Sequence, residues 1–153
     1  MTSDDISTVA AWMVATPLWQ RYRMDEAKAQ QQFETALARA DLLLVADRGA
    51  DQACGVAWCL PAGGFGRSAY LRAIGVHPAQ TGSGVGSALL AAVEQQAAAF
   101  TDDLFLLVSD FNEAARRFYR RHGYVQVGAI PGYVLPDVTE LLFRKRLRGQ
   151  SPP

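Results

Sequence analysis

Two stretches of the chain carry residue types at spacings that could do chemistry. The first is Val76-His77-Pro78-Ala79-Gln80-Thr81-Gly82-Ser83-Gly84-Val85-Gly86-Ser87-Ala88-Leu89, which joins a strand-like run to a helix-like one. Gly82, Gly84 and Gly86 strip side chains from one edge of the bend and permit positive φ. Backbone N–H groups at the start of a helix have no helical partner. They would form a concave nest at the positive end of the helix dipole, which suits a phosphate group. The same glycines would also serve a flexible turn or close helix–strand packing. A P-loop would need a lysine after the last glycine, and none is there. A dinucleotide fingerprint would need Gly or Ala where Ser87 stands, with an acid near the end of the next strand, where Asp110 lies. The hairpin that precedes the bend argues against that fold.

The second stretch runs from Leu107 to Tyr124 and includes Asn112, Glu113, Ala115, Arg116, Arg117, Phe118, Tyr119, Arg120, Arg121, His122 and Gly123. On a helix, Asn112 and Tyr119 would share one face, about 10.5 Å apart. Phe111, Ala115, Phe118 and His122 form an overlapping stripe expected to pack on a sheet. Asn112 is also an ordinary helix N-cap residue. Tyr119 could equally be a core aromatic whose hydroxyl reaches water. The four arginines read either as a solvated face or as an attraction for phosphate.

The elements that must position these residues can be read from periodicity. Residues 3–15 read as a helix capped by Ser3, and Met24–Arg39 as a second helix buried on its Phe33 and Leu37 side. Between them Pro17 interrupts a stretch rich in aromatics, with Trp12, Trp19 and Tyr22. Leu42–Ala46 and Ala53–Leu60 read as a hairpin, Pro61–Gly66 as a loop, and Ser68–Val76 as a third strand. Gly84–Phe100 is a helix whose Val85, Leu89 and Val93 step by four, beside Leu90, Ala97 and Phe100. Leu104–Val108 is an apolar strand of the kind buried on both faces. Asn112–His122 is a helix, and Tyr124–Ile130 and Glu140–Arg146 are the last strands. The order, ααβββαβαββ, predicts an α/β fold with a mixed sheet at its centre.

Composition narrows the class. The chain has 153 residues, fifteen basic and fifteen acidic, so it lacks the charge footprint of a nucleic-acid binder. Its size suits one domain, read as 3–147, with 148–153 as a flexible tail. No apolar run is long enough to span a bilayer, and the polar, acidic start, Met1 to Asp5, does not read as a signal peptide. Cys54 and Cys59 point to opposite faces of one strand, roughly 16 Å apart, too far for a disulfide. They read as reduced, buried thiols of a cytoplasmic protein. Neither they nor the two histidines have metal-ligand spacing, so no metal is expected.

Taken together, the two stretches resemble the GNAT superfamily of acyl-CoA-dependent N-acetyltransferases. The family's pyrophosphate motif, V-x-P-x-x-Q/R-G-x-G-I/V-G-x-x-L, is met by Val76, Pro78, Gly82, Gly84, Val85, Gly86 and Leu89. Its later motif, N-x-x-A-x-x-F/L-Y-x-x-x-G-F/Y, is met by Asn112, Ala115, Phe118, Tyr119, Gly123 and Tyr124. The chain departs at one position: Thr81 stands where the family has Gln or Arg, with Gln80 one place early. The resemblance implies a central, mostly antiparallel sheet with splayed middle strands flanked by helices.

It further implies acetyl-CoA as co-substrate. The backbone of Ile74, Gly75 and Val76 would meet the pantetheine arm. The nest of Thr81, Gly82, Ser83, Gly84, Val85, Gly86 and Ser87 would hold the diphosphate. Asn112 would bond pantetheine, and Tyr119 would protonate the departing sulfur. The expected activity is acetyl transfer to a primary amine of a small molecule by direct attack. A peptide or protein N-acetyltransferase and a non-catalytic acyl-CoA-binding module remain as alternatives. Trp19, Tyr22 and Tyr133 fall in loops where the family forms its acceptor pocket, with Phe65 nearby, and Arg21 and Arg23 hint at an acceptor carboxylate. A homodimer is left open. Many relatives use a glutamate on the strand before the glycine bend, but Ser68–Val76 holds no acid. Asp110, Glu113, Asp137 and His77 are the candidate bases.

Overall fold

The computed structural model describes residues 1–148, so all of the expected tail but Arg148 lies outside the described residues. The elements are α1 (Ser3–Val14), α2 (Pro17–Arg21), α3 (Glu26–Ala38), β1 (Leu42–Arg48), β2 (Asp51–Gly64), β3 (Ser68–Val76), α4 (Val85–Ala97), β4 (Asp103–Ser109), α5 (Glu113–Arg121), β5 (Val125–Pro131) and β6 (Thr139–Arg146). They build a six-stranded mixed sheet, in the order β1-β2-β3-β4-β6-β5, flanked by helices. Among the described residues no helix is long and apolar enough to cross a membrane. The described residues divide into two compact units: Met1–Cys59 with Ala73–Val93, and Leu60–Arg72 with the described residues from Glu94 on.

In the first unit, β1 and β2 form the expected antiparallel hairpin, with Leu42 opposite Cys59 and Ala46 opposite Gly55. Both cysteines are buried free thiols. Helix α1 packs on α3. Its N-cap is Thr2, not Ser3: Asp5 accepts the Thr2 N–H, which closes a capping box. Asp25 caps α3 by accepting the Lys28 N–H at 2.8 Å. Phe33 is buried against Trp58, with ring centroids 5.7 Å apart. Helix α2 is an element the periodicity misses. It is a single turn started by Pro17, whose fixed φ suits a first helical position.

In the second unit, β3 pairs in parallel with β4 through Ala69–Leu104, Tyr70–Phe105 and Leu71–Leu106. Strand β4 pairs antiparallel with β6 from Asp103–Arg146 to Ser109–Glu140, and β6 pairs antiparallel with β5. Leu104, Leu106, Val108, Leu141 and Phe143 fill the core. Strand β2 runs on to Gly64, through residues whose Pro and Gly read locally as a loop. A Cβ on Gly64 would meet the Ser68 carbonyl oxygen at 3.1 Å, so the strand lies close against the start of β3. Pairing of this kind overrides local propensity. Two expected core aromatics are not buried. Phe100 lies beyond the end of α4 and is 52% exposed, and Phe111 precedes α5. The buried residue of α5 is Tyr119.

Candidate active site

In the first unit the bend after β3 is tied down from several sides. The His77 N–H donates to the Cys54 carbonyl at 2.8 Å, and His77 Nδ1 accepts the Ala79 N–H at 3.1 Å, capping a short 3₁₀ turn at Pro78–Gln80. Gln80 does not stand in for the missing long side chain at Thr81. It accepts from Arg48 and donates to Asp51, and is thereby turned toward the β1–β2 hairpin. The Thr81 and Ser83 N–H groups donate to the Pro78 and Gln80 carbonyls, so these two amides are engaged inside the turn. Gly82 and Gly84 have φ of +76° and +91°, and a Cβ on either would meet open space. Glycine is required there by the backbone conformation and not by crowding. Helix α4 follows, with no acid in its first turn to compete for its N–H groups.

Close packing sets the direction of α4. A Cβ on Gly55 of β2 would lie 2.6 Å from Val85 Cγ1 and 2.9 Å from Leu89 Cδ1. Gly75, expected on the pantetheine arm, lies against Trp12, where a Cβ would be 3.2 Å from the indole. Trp12 is itself anchored by its Nε1–H, which donates to the Ala53 carbonyl at 2.8 Å. Trp19 and Tyr22 also belong to this unit, and both are half-buried.

In the second unit, Asn112 is the N-cap of α5: its Oδ1 accepts the Ala115 N–H at 3.1 Å. Tyr119 is buried between Phe118 and Tyr124, at centroid distances of 5.2 and 5.5 Å. Burial, with a smaller contribution from Tyr70, pushes its phenol far above the ordinary tyrosine range. The hydroxyl therefore keeps its proton at any physiological pH. A cleft on α5 is lined by Glu113, Arg116, Arg117 and Arg120. Arg116 Nη1 donates to the Asp110 carbonyl at 3.1 Å, and its buried Nε has no hydrogen-bond partner among the described residues. Tyr133 and Phe65 are 64% and 76% exposed, with Phe65 edge-on to Phe105 at 5.3 Å.

The Acetyltransferase (GNAT) family model matches residues 7–124. The chain belongs to that family. Solved structures repeat the fold. A ribosomal-protein-alanine N-acetyltransferase from Brucella melitensis is 23% identical, with 95% of this chain and 96% of that one covered at a TM-score of 0.77. An aminoglycoside 6'-N-acetyltransferase complexed with coenzyme A is 16% identical, covering 98% and 93% at 0.78. A Salmonella typhimurium protein solved with its cofactor acetyl-CoA is 17% identical, covering 100% and 94% at 0.77. A comparison with curated proteins finds no match.

As a GNAT chain it offers few candidates for the proton acceptor. His77 is spent as a cap on Ala79. Asp110 accepts the Thr139 N–H at 3.2 Å, which fixes the start of β6. Glu113 faces solvent and pairs with Arg117 at 3.3 Å. Asp137 is exposed in the loop before β6. Periodicity gives no role to Glu140, yet the structure buries it at 4% exposure, with Ser109 Oγ 3.4 Å from both carboxylate oxygens. The only signal in the sequence is an acid followed directly by three apolar residues, Leu141, Leu142 and Phe143. No cluster of three or more His, Cys, Asp or Glu able to hold a metal occurs among the described residues.

Proposed function

We propose that this chain transfers an acetyl group from acetyl-CoA to a primary amine of a small molecule by direct attack, with Tyr119 as the general acid. The observation that carries the reading is the buried Tyr119 phenol, which burial keeps protonated. A leaving thiolate needs a proton, and a donor held neutral in a dry site can supply it.

The bend suits the diphosphate. Its positive-φ glycines and the acid-free first turn of α4 support donation from the Gly82, Gly84, Val85, Gly86 and Ser87 amides. Thr81 would contribute through its hydroxyl, since its amide is engaged within the turn, whereas Ser83 gives both its amide and its hydroxyl to the Gln80 carbonyl and would act by shaping the bend. Ile74, Gly75 and Val76 would present backbone groups to the pantetheine arm. Asn112 would add its Nδ2, because Oδ1 serves the helix cap. The cleft at Arg116, Arg117 and Arg120, with its buried unpartnered Nε, suits the 3′-phosphate of coenzyme A. We read residues 3–147 as the domain that carries this activity, in a cytoplasmic protein. The aromatic side chains of Trp19, Tyr22 and Tyr133 are the proposed acceptor contacts.

Release of coenzyme A thiol from acetyl-CoA across a panel of primary amines, amino acids and peptides tests the proposal. Turnover is expected with a small primary amine. Turnover with peptide N-termini alone would favour a peptide acetyltransferase, the class of the Brucella neighbour. Tight binding of acetyl-CoA with no release from any acceptor would leave a binding module, a reading favoured by the absence of an acid on β3.

A further inference from the structure

An amine acceptor arrives as an ammonium ion and must lose a proton before its nitrogen can attack. Within the second unit one acid is placed to take it. Among the described residues Glu140 is the most buried charged residue, at 4% exposure. A carboxylate costs folding free energy at a strand position where an apolar side chain would serve.

The register shows which way it faces. Glu140 pairs with Ser109, Ser109 lies four residues beyond Phe105 on β4, and Phe105 pairs with Tyr70 on β3. Alternation therefore puts Tyr70, Phe105, Ser109 and Glu140 on one face. Phe143, three residues beyond Glu140, faces the other way, and Arg120 of α5 lies over its ring at 5.9 Å. The helix that carries Tyr119 thus packs on the face opposite Glu140. Burial chiefly raises the Tyr70 phenol, Arg72 opposes it, and Tyr133 and Glu140 add smaller increments; burial likewise dominates at Tyr119, with a smaller contribution from Tyr70.

We propose that Glu140 is the general base of the transfer, receiving the acceptor ammonium beside Ser109 on the face of the sheet that it shares with Tyr70. This rests on the acetyltransferase reading above. The ammonium gives one proton to the Glu140 carboxylate, and the freed lone pair forms the N–C bond to the thioester carbon. The C–S bond breaks, and the sulfur takes the Tyr119 proton. The amide nitrogen sheds its second proton, which restores Tyr119, and Glu140 later releases its own to water. The sum is an ammonium and a thioester giving an amide, a thiol and one proton.

The test compares wild type, Glu140→Gln and Glu140→Asp. The probes are the primary alkylamine that reacts fastest in the panel and methoxyamine, whose nitrogen is already neutral at neutral pH. Glu140→Gln should lose about 100-fold or more in kcat/KM with the alkylamine, but less than about ten-fold with methoxyamine. Its acetyl-CoA affinity, measured by calorimetry, and its melting temperature should hold. Glu140→Asp, which keeps a carboxylate, should recover part of the alkylamine rate. Wild-type turnover with an equally active Glu140→Gln would overturn this inference alone. Equal losses with both probes would make Glu140 structural and overturn it as well. A wild type that turns over nothing would overturn the acetyltransferase reading, and this inference with it.

Discussion

Tyr119 shows how burial changes the acidity of a single side chain. Its phenol is enclosed by two other rings, and in that environment the charged form is penalised. Tyr119→Phe keeps the shape and removes the proton. Turnover should fall by about 100-fold or more while acetyl-CoA affinity stays within about two-fold. Unchanged turnover in steady-state assays would remove Tyr119 from the mechanism. Tyr70 gives a second prediction, on stability. Its phenol is pushed up from 10.0 to about 12, chiefly by burial. The unfolded chain begins to lose that proton near pH 10 while the native state retains it. The stability contributed is therefore whole below about pH 10 and is lost as pH rises toward about 12. In alkaline unfolding followed by circular dichroism, Tyr70→Phe should flatten that loss, and an identical pH profile would contradict it.

At the scale of elements, the bend works because its neighbours hold it. Helix α4 can begin where it does only because Gly55 presents no Cβ to Val85 and Leu89. Gly55→Val should cost about 1–3 kcal/mol by overpacking. It should also weaken acetyl-CoA binding, because the first turn of α4 must move. Urea unfolding and calorimetry would check both, and full affinity in a destabilised variant would separate the bend from the packing beneath it. The sequence shows that a glycine bend joins β3 to α4, because its punctuation is local. It does not show that Gly55, some thirty residues upstream, is the surface on which α4 rests. Asn112 is similar. Its type and position announce a cap, and the structure engages its Oδ1 in that role. Helix α2 and the extension of β2 escaped the reading because one is a single turn and the other depends on a partner strand.

For the molecule as a whole, net charge is zero, so any electrostatic attraction must be local. The α5 cleft concentrates Arg116, Arg117 and Arg120 on one short helix. If it meets the 3′-phosphate, Arg117→Ala should weaken coenzyme A binding by about two- to five-fold, the range of an exposed ion pair. Binding of dephospho-coenzyme A should not change, and the difference should shrink in high salt. Equal losses for both ligands would place the phosphate elsewhere. The family was legible in the sequence because its two motifs are contiguous, and spacing along a chain is preserved whatever the tertiary arrangement. The order of elements and the buried stripe of α4 followed from periodicity for the same reason. The folded structure alone decided which of many acids is buried and which phenol is dry. It also decided which backbone amides of the bend are already engaged. Burial and hydrogen-bond partnership depend on residues far apart in sequence, so no local pattern records that Glu140 pairs with Ser109 and shares Tyr70's face of the sheet.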